Sequence, residues 1–120
     1  MQLSKNTKEG GNSLNIEFDE TNKLLSIYIA EEIDHHTAEK LRRKMDYEIT
    51  RFMPRKVVFD FSKVTFMDSA GIGLLIGRYK LVKMLGGITK IINASQVVKK
   101  VLEMSGVLRI IPVEENRKVG

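Results

Sequence analysis

Leu14, Ile16 and Phe18 alternate with Asn15, Glu17 and Asp19, the period of a strand with one buried face. Glu20-Thr21-Asn22 reads as a turn. From Leu24 to Ala30 the alternation resumes, with Leu25, Ile27 and Ile29 on one side and Leu24, Ser26 and Tyr28 on the other. The two segments predict a β-hairpin. The period then changes: Ala38, Leu41, Met45, Ile49 and Phe52 recur at helical spacing, with Asp34 as the expected N-cap and Pro54 as the stop. Val57 to Phe61 is a mostly apolar run, predicting a strand buried on both faces. Ser62-Lys63 turns the chain into a short apolar piece, Val64 to Met67. Asp68-Ser69 follows, and a helical pattern runs from Ala70 to about Leu85, where Gly86-Gly87 ends it. Ile88 to Ile92 predicts another strand, and Asn93 or Ser95 caps a third helix with Val97, Val98, Val101 and Leu102 on its apolar face. Ser105-Gly106 ends that helix, and Val107 to Val113 reads as a last strand, with Pro112 indicating an edge.

The expected order is β-β-α-β-α-β-α-β, an α/β fold with helices packed on a mixed sheet. Residues 1–120 read as a single domain with its core over about 14–113; the polar segments 1–13 and 114–120 are expected to be loose termini. On a helical wheel, residues 69–85 carry two apolar arcs. Ile72, Leu75, Ile76, Tyr79 and Val82 form one; Leu74, Leu81 and Leu85 form the other, beside Arg78. A helix lying on a sheet needs one buried arc, so the second is covered by neighbouring helices or left for a partner. Gly73 and Gly77, one turn apart, each cost helix stability of about 1 kcal/mol against alanine, and close backbone approach would explain them.

Composition narrows the function classes. At 120 residues and 42% hydrophobic, the chain can build a core. With no cysteine it has no disulfide and no thiolate chemistry. No apolar run approaches the roughly 18 residues of a membrane span, and the N-terminus lacks the apolar stretch of a signal peptide. A cytoplasmic location away from membranes is expected. The formal net charge of +5 raises the question of nucleic acid. The densest cations, Lys40, Arg42, Arg43 and Lys44, are interleaved with Glu39, Asp46 and Glu48 and have no aromatic ladder. They predict a solvated helix face and no nucleic-acid partner; binding through Arg42, Arg43 and Lys44 is the alternative, and it would weaken steeply with salt.

Ser69 is where the pattern points to chemistry. A hydroxyl at a strand-to-helix junction lies among free N–H donors at the positive end of the helix dipole. A phosphate there would suit the fold while adding roughly −1.5 to −2 charges to any docking surface. Capping alone also accounts for a serine at this position. Nucleophilic catalysis fits poorly, because Met67 stands where the elbow motif needs glycine, and a serine nucleophile needs a base. Adjacent His35 and His36 point about 100° apart on a helix, which argues against a shared metal. The spacing of Gly71, Gly73 and Gly77 is one residue too long for a dinucleotide fingerprint, and Asn93 stands where an acid should bind the ribose. No cofactor, metal or enzymatic activity is expected.

Asp68-Ser69-Ala70-Gly71-Ile72-Gly73 resembles the D-S-[SA]-G-[LI]-G signature of STAS domains, in particular of anti-sigma factor antagonists. The match continues through Leu74-Leu75-Ile76-Gly77-Arg78-Tyr79-Lys80, and a second block is Glu32-Ile33-Asp34-His35-His36-Thr37-Ala38-Glu39. Together they resemble the sporulation-type antagonists over about residues 14–113. The resemblance implies that Ser69 is phosphorylated by a partner that is both anti-sigma factor and serine kinase, and that a phosphatase reverses this. It implies that the unphosphorylated form binds that partner and releases the sigma factor. It marks Asp34, Asp68, Ser69, Gly71, Gly73, Leu74, Gly77 and Arg78 as expected partner-binding positions. A STAS scaffold in another stress-signalling complex is the alternative within the family.

Overall fold

The computed structural model describes residues 7–10, as backbone, and 14–115. Its elements in chain order are β1 (Thr7–Gly10), β2 (Leu14–Asp19), β3 (Leu24–Ile29), α1 (Ala38–Phe52), β4 (Lys56–Asp60), α2 (Ser69–Met84), β5 (Ile88–Ile92), α3 (Gln96–Ser105) and β6 (Val113–Glu114), with a 3-10 turn over Val107–Arg109 before β6. One six-stranded sheet runs in the order β1-β2-β3-β4-β5-β6. The first three strands are antiparallel neighbours, and β3, β4, β5 and β6 are mutually parallel.

Register converts the sequence alternation into one apolar face. Ile16 pairs with Ile27, Ile27 with Phe59 and Phe59 with Ile91; all four are buried. Three successive crossovers step in one direction across the sheet, and right-handed connections then place α1, α2 and α3 on the same face. Leu41, Met45 and Ile49 from α1, Ile72, Leu75 and Val82 from α2, and Val98 and Leu102 from α3 join the sheet residues in a single core. On the other face Val58 is buried between its register neighbours Ser26 and Lys90, whose stem can lie along the sheet.

Four expectations are corrected. The segment 1–13 contains a strand, β1, whose Thr-Lys-Glu-Gly sequence has no apolar residue to signal it; residues 1–6 and 11–13 lie outside the described residues. Val107–Val113 is not a strand. Gly106, at φ +82°, turns the chain, and Val107 and Ile111, four apart, are both buried, so only Val113–Glu114 reaches the sheet. Glu114 is thereby removed from the expected loose tail, of which 116–120 lie outside the described residues. Asp34 does not cap α1 itself: Thr37 occupies that position, and Asp34 holds the preceding turn. Of the two candidate caps for α3, Ser95 accepts the bond from Val98 N–H at 3.2 Å.

The two apolar arcs of α2 are both used. Leu75 and Val82 on one arc and Leu74 on the other are buried, because α2 lies on the sheet between α1 and α3. Neighbouring elements thus cover Leu74, Leu75 and Val82, while Leu81 and Leu85 stay half-buried.

Candidate functional site

The site forms where two connections at the C-terminal edge of the parallel strands are zipped together. Ile33, after β3, and Met67, after β4, make an isolated parallel bridge. Ile33 N–H donates to Phe66 O at 3.0 Å, and Asp68 N–H donates to Ile33 O at 3.2 Å. Both side chains are buried, which anchors the two loops in the core. Ile33 and Met67 were not singled out from sequence; a one-residue bridge leaves no periodic signal.

Asp68 has extended backbone and is the N-cap of α2, its Oδ1 accepting from Ala70 N–H at 2.8 Å. Ser69 is the first residue of the helix and is exposed. Gly71 sits where the loops close on the helix. A Cβ there would lie 2.5 Å from Met67 Cγ and 3.1 Å from Ile33 O, so glycine is required by contact.

The loop carrying Asp34 is held by its own hydrogen bonds. Asp34 Oδ1 accepts from His36 N–H at 2.9 Å and Thr37 N–H at 3.2 Å. Thr37 Oγ1 accepts from Asp34 N–H and donates to Glu32 O at 2.8 Å. Desolvation raises the Asp34 pKa, but the His36 and Thr37 N–H groups and the two imidazoles outweigh it and hold the carboxyl below its ordinary value. Thr37 was missed from sequence, although its spacing of three from Asp34 is a usable signal. His35 and His36 face different carboxylates. His35 Nδ1 is 4.0 Å from Asp68 Oδ2, and His36 Nδ1 is 3.8 Å from Asp34 Oδ1. The bridge, His35 and Asp68 thus bring the Asp34 loop beside Ser69.

A shallow groove of about 300 Å³ runs between α1 and α2, and its lining begins at Ala70, the residue after Ser69. Ala38, Glu39 and Arg42 line one side, and Ala70, Gly73, Leu74, Gly77 and Arg78 the other. A Cβ at Gly73 or Gly77 would meet nothing within 4 Å, so the sheet does not approach them; they expose helix backbone to the groove. Leu74 and Arg78, expected to contact a partner, are buried in its wall. Arg78 Nε is 2.7 Å from Asp46 Oδ1, a charge contact rather than an aligned hydrogen bond, and Arg78 Nη1 donates to Leu74 O at 3.3 Å. Burial pushes the guanidinium below its ordinary pKa, and Asp46 opposes that shift. Asp46, expected only as part of a solvated, charge-interleaved helix face, is what allows the arginine to be buried. The two arginines of the basic cluster are paired on α1 itself, Arg42 bonding Glu39 and Asp46 and Arg43 Nε lying 3.7 Å from Glu39, while Lys40 Nζ is 3.7 Å from Glu31 before the helix.

The STAS domain family model matches residues 15–119. The chain belongs to the STAS domain family. Among relatives of this STAS chain, the anti-sigma F factor antagonist of Paenibacillus polymyxa is 35% identical over 104 residues, covering 87% of this chain and 89% of the relative. Solved structures that share its fold include two forms of one such antagonist. The unphosphorylated form of the anti-sigma factor antagonist SpoIIAA has 27% identity and a TM-score of 0.68, covering 91% of this chain and 87% of that one. The phosphorylated form of the Bacillus cell fate determinant SpoIIAA has 26% identity and a TM-score of 0.60, covering 91% and 90%. No helix among the described residues is long and apolar enough to cross a membrane.

Proposed function

We propose that this STAS domain is an anti-sigma factor antagonist switched by phosphorylation of Ser69. In its unphosphorylated form it binds an anti-sigma factor and releases the sigma factor. That partner is also the serine kinase, and a phosphoserine phosphatase restores the binding form. The domain acts by binding, in the cytoplasm, and carries out no catalysis of its own.

The observation that carries this reading is the placement of Ser69. It is exposed as the first residue of α2, beside the Asp34 loop and next to Ala70, which with the open glycines Gly73 and Gly77 lines a groove. A second backbone or side chain can approach closely along Gly73 and Gly77. A phosphate on Ser69 then places a dianion at the edge of that contact, where desolvation and misfit oppose docking. Loss of about 3 kcal/mol weakens binding roughly a hundredfold, enough for a switch. Relatives named as anti-sigma factor antagonists, and the solution of SpoIIAA in both phosphorylation states, support the same reading.

The test is phosphopeptide mapping after incubation with ATP and a cognate anti-sigma kinase, alongside Ser69→Ala. A single phosphoryl group on Ser69 is expected, and Ser69→Ala should bind the partner yet resist inactivation. If the alanine variant is still switched off, the site is misassigned.

A further inference from the structure

A second concavity lies at the other end of α2. Its volume is about 480 Å³, and Tyr79, Ile88, Ile110 and Pro112 give it an apolar lining. It exists because β6 is short. Only Ile91 and Ile92 of β5 pair with β6, so Ile88–Lys90 presents an open sheet edge. Ile91 and Asn93 N–H donate to Pro112 and Glu114 O, so the N–H of Thr89, two residues back, points to the same edge, beyond the reach of β6. The Thr89 side chain lines the concavity as well. The residue is only 5% exposed, and its hydroxyl has no hydrogen-bond partner among the described residues.

Charge is added to this apolar surface. Lys56, Lys83 and Lys90 all line it. Lys90 Nζ is neutralised by Glu114 at 3.0 Å. Lys83 Nζ lies 5.7 Å from the Tyr79 ring centre, and among the described residues neither it nor Lys56 meets a carboxylate within ion-pair distance. Lys83 is near the end of a helix that begins at Ser69, about 20 Å away at 1.5 Å per residue. The concavity is therefore separate from the groove next to Ser69.

We propose that this concavity binds a small organic anion, a monocarboxylate with an apolar aliphatic or aromatic body. The volume falls in the range of about 300–1,000 Å³ typical of small-molecule sites, which combine apolar walls with a few convergent polar groups. Tyr79, Ile88, Ile110 and Pro112 would take the body. The Thr89 N–H, which β6 does not reach, would take the carboxylate at the open edge, flanked by Lys83 from the helix face and Lys56 from the opposite face, since cations and open backbone donors together favour an anion. A neutral ligand would leave two unpaired ammonium groups at the mouth, and a cation would be repelled.

Titration of the full chain with decanoate and, separately, 2-naphthoate, followed by backbone amide NMR, tests this. At least one should bind with a Kd of about 0.1–1 mM, shifting the amides of Tyr79, Lys83, Ile88–Lys90 and Ile110. The Lys56→Ala/Lys83→Ala variant should fold as the parent does and bind about tenfold more weakly. Ser69→Ala should bind the ligand like the parent, which separates this site from the phosphorylation reading. Absence of shifts with both acids overturns the proposal, as do shifts scattered over exposed Met84, Val97 and Met104. Equal binding of 1-decanol, or no loss in the double lysine variant, overturns it too.

Discussion

Asp46 Oδ1 lies 2.7 Å from Nε of Arg78, which lines the groove between α1 and α2, and so ties the two helices together. Arg78 is buried, whereas the Asp46 side chain is 28% exposed, so the two partners are not equivalent.

That asymmetry sets the first prediction. Asp46→Ala strands a buried guanidinium and should cost about 2 kcal/mol, less than the 3–5 of a fully buried pair because water can reach the vacated side. Arg78→Met removes the charge, keeps the volume and should cost less than about 1 kcal/mol. Urea unfolding of both variants decides the matter. Equal losses would mean that packing, not the orphaned charge, dominates here.

The glycines of α2 should separate into two kinds. Gly71→Ala forces a Cβ against Met67 and the Ile33 carbonyl and should destabilise by about 1–3 kcal/mol. Gly73→Ala and Gly77→Ala meet open space in a helix interior and should each stabilise by up to about 1 kcal/mol. If the groove is the docking surface, the same two variants should bind the anti-sigma partner more weakly despite being more stable. Thermal melts and a binding titration on the same samples test both halves. A stabilised variant that binds normally would move the docking surface away from the groove.

Most of the architecture was legible because burial and period agree. Leu14, Ile16 and Phe18 pair with Ile29, Ile27 and Leu25, as alternation requires. Val107 to Val113 misled because a short apolar run does not reveal its period; the buried pair at Val107 and Ile111 has helical spacing, and Arg109 would have shared their face in a strand. Asp68 and Ser69 were legible as a helix start, since local capping chemistry needs only neighbours in sequence. The Ile33–Met67 bridge and the Asp46–Arg78 pair were not, because both join residues more than thirty positions apart, beyond any local pattern. Gly73 and Gly77 stood out as costly in a helix, but only the fold excludes the sheet as the reason for them.

Asp34 gives a pH prediction. Its folded-state pKa is below the ordinary value, so the ionised carboxylate contributes stability that is complete above the unfolded pKa of about 3.9. That contribution is lost as the pH falls through the lower folded value. Asp34→Asn removes the ionisation, so it should lower neutral-pH stability by that contribution and flatten the loss of stability in this acid window. Carboxyl carbon NMR of the parent should show Asp34 titrating below the ordinary carboxylate range. A midpoint at or above 3.9 would contradict the hydrogen-bonded turn.

Phosphorylation of Ser69 should change affinity far more than structure. The phosphate meets the N–H groups and positive dipole end of α2, worth about 0.3–1 kcal/mol, while the neighbouring Asp68 carboxylate repels it. The two effects oppose each other, so the stability of the phosphorylated chain should stay within about 1 kcal/mol of the parent. Partner affinity should fall roughly a hundredfold, because in the complex the dianion loses water without gaining a matched donor set. Amide shifts on phosphorylation should be confined to the first turns of α2 and the two zipped connections, where Ile33, Phe66 and Asp68 are joined by backbone bonds immediately before Ser69. Shifts reaching Val82 and the C-terminal end of α2 would mean that the helix moves as a unit. The switch would then be conformational rather than electrostatic.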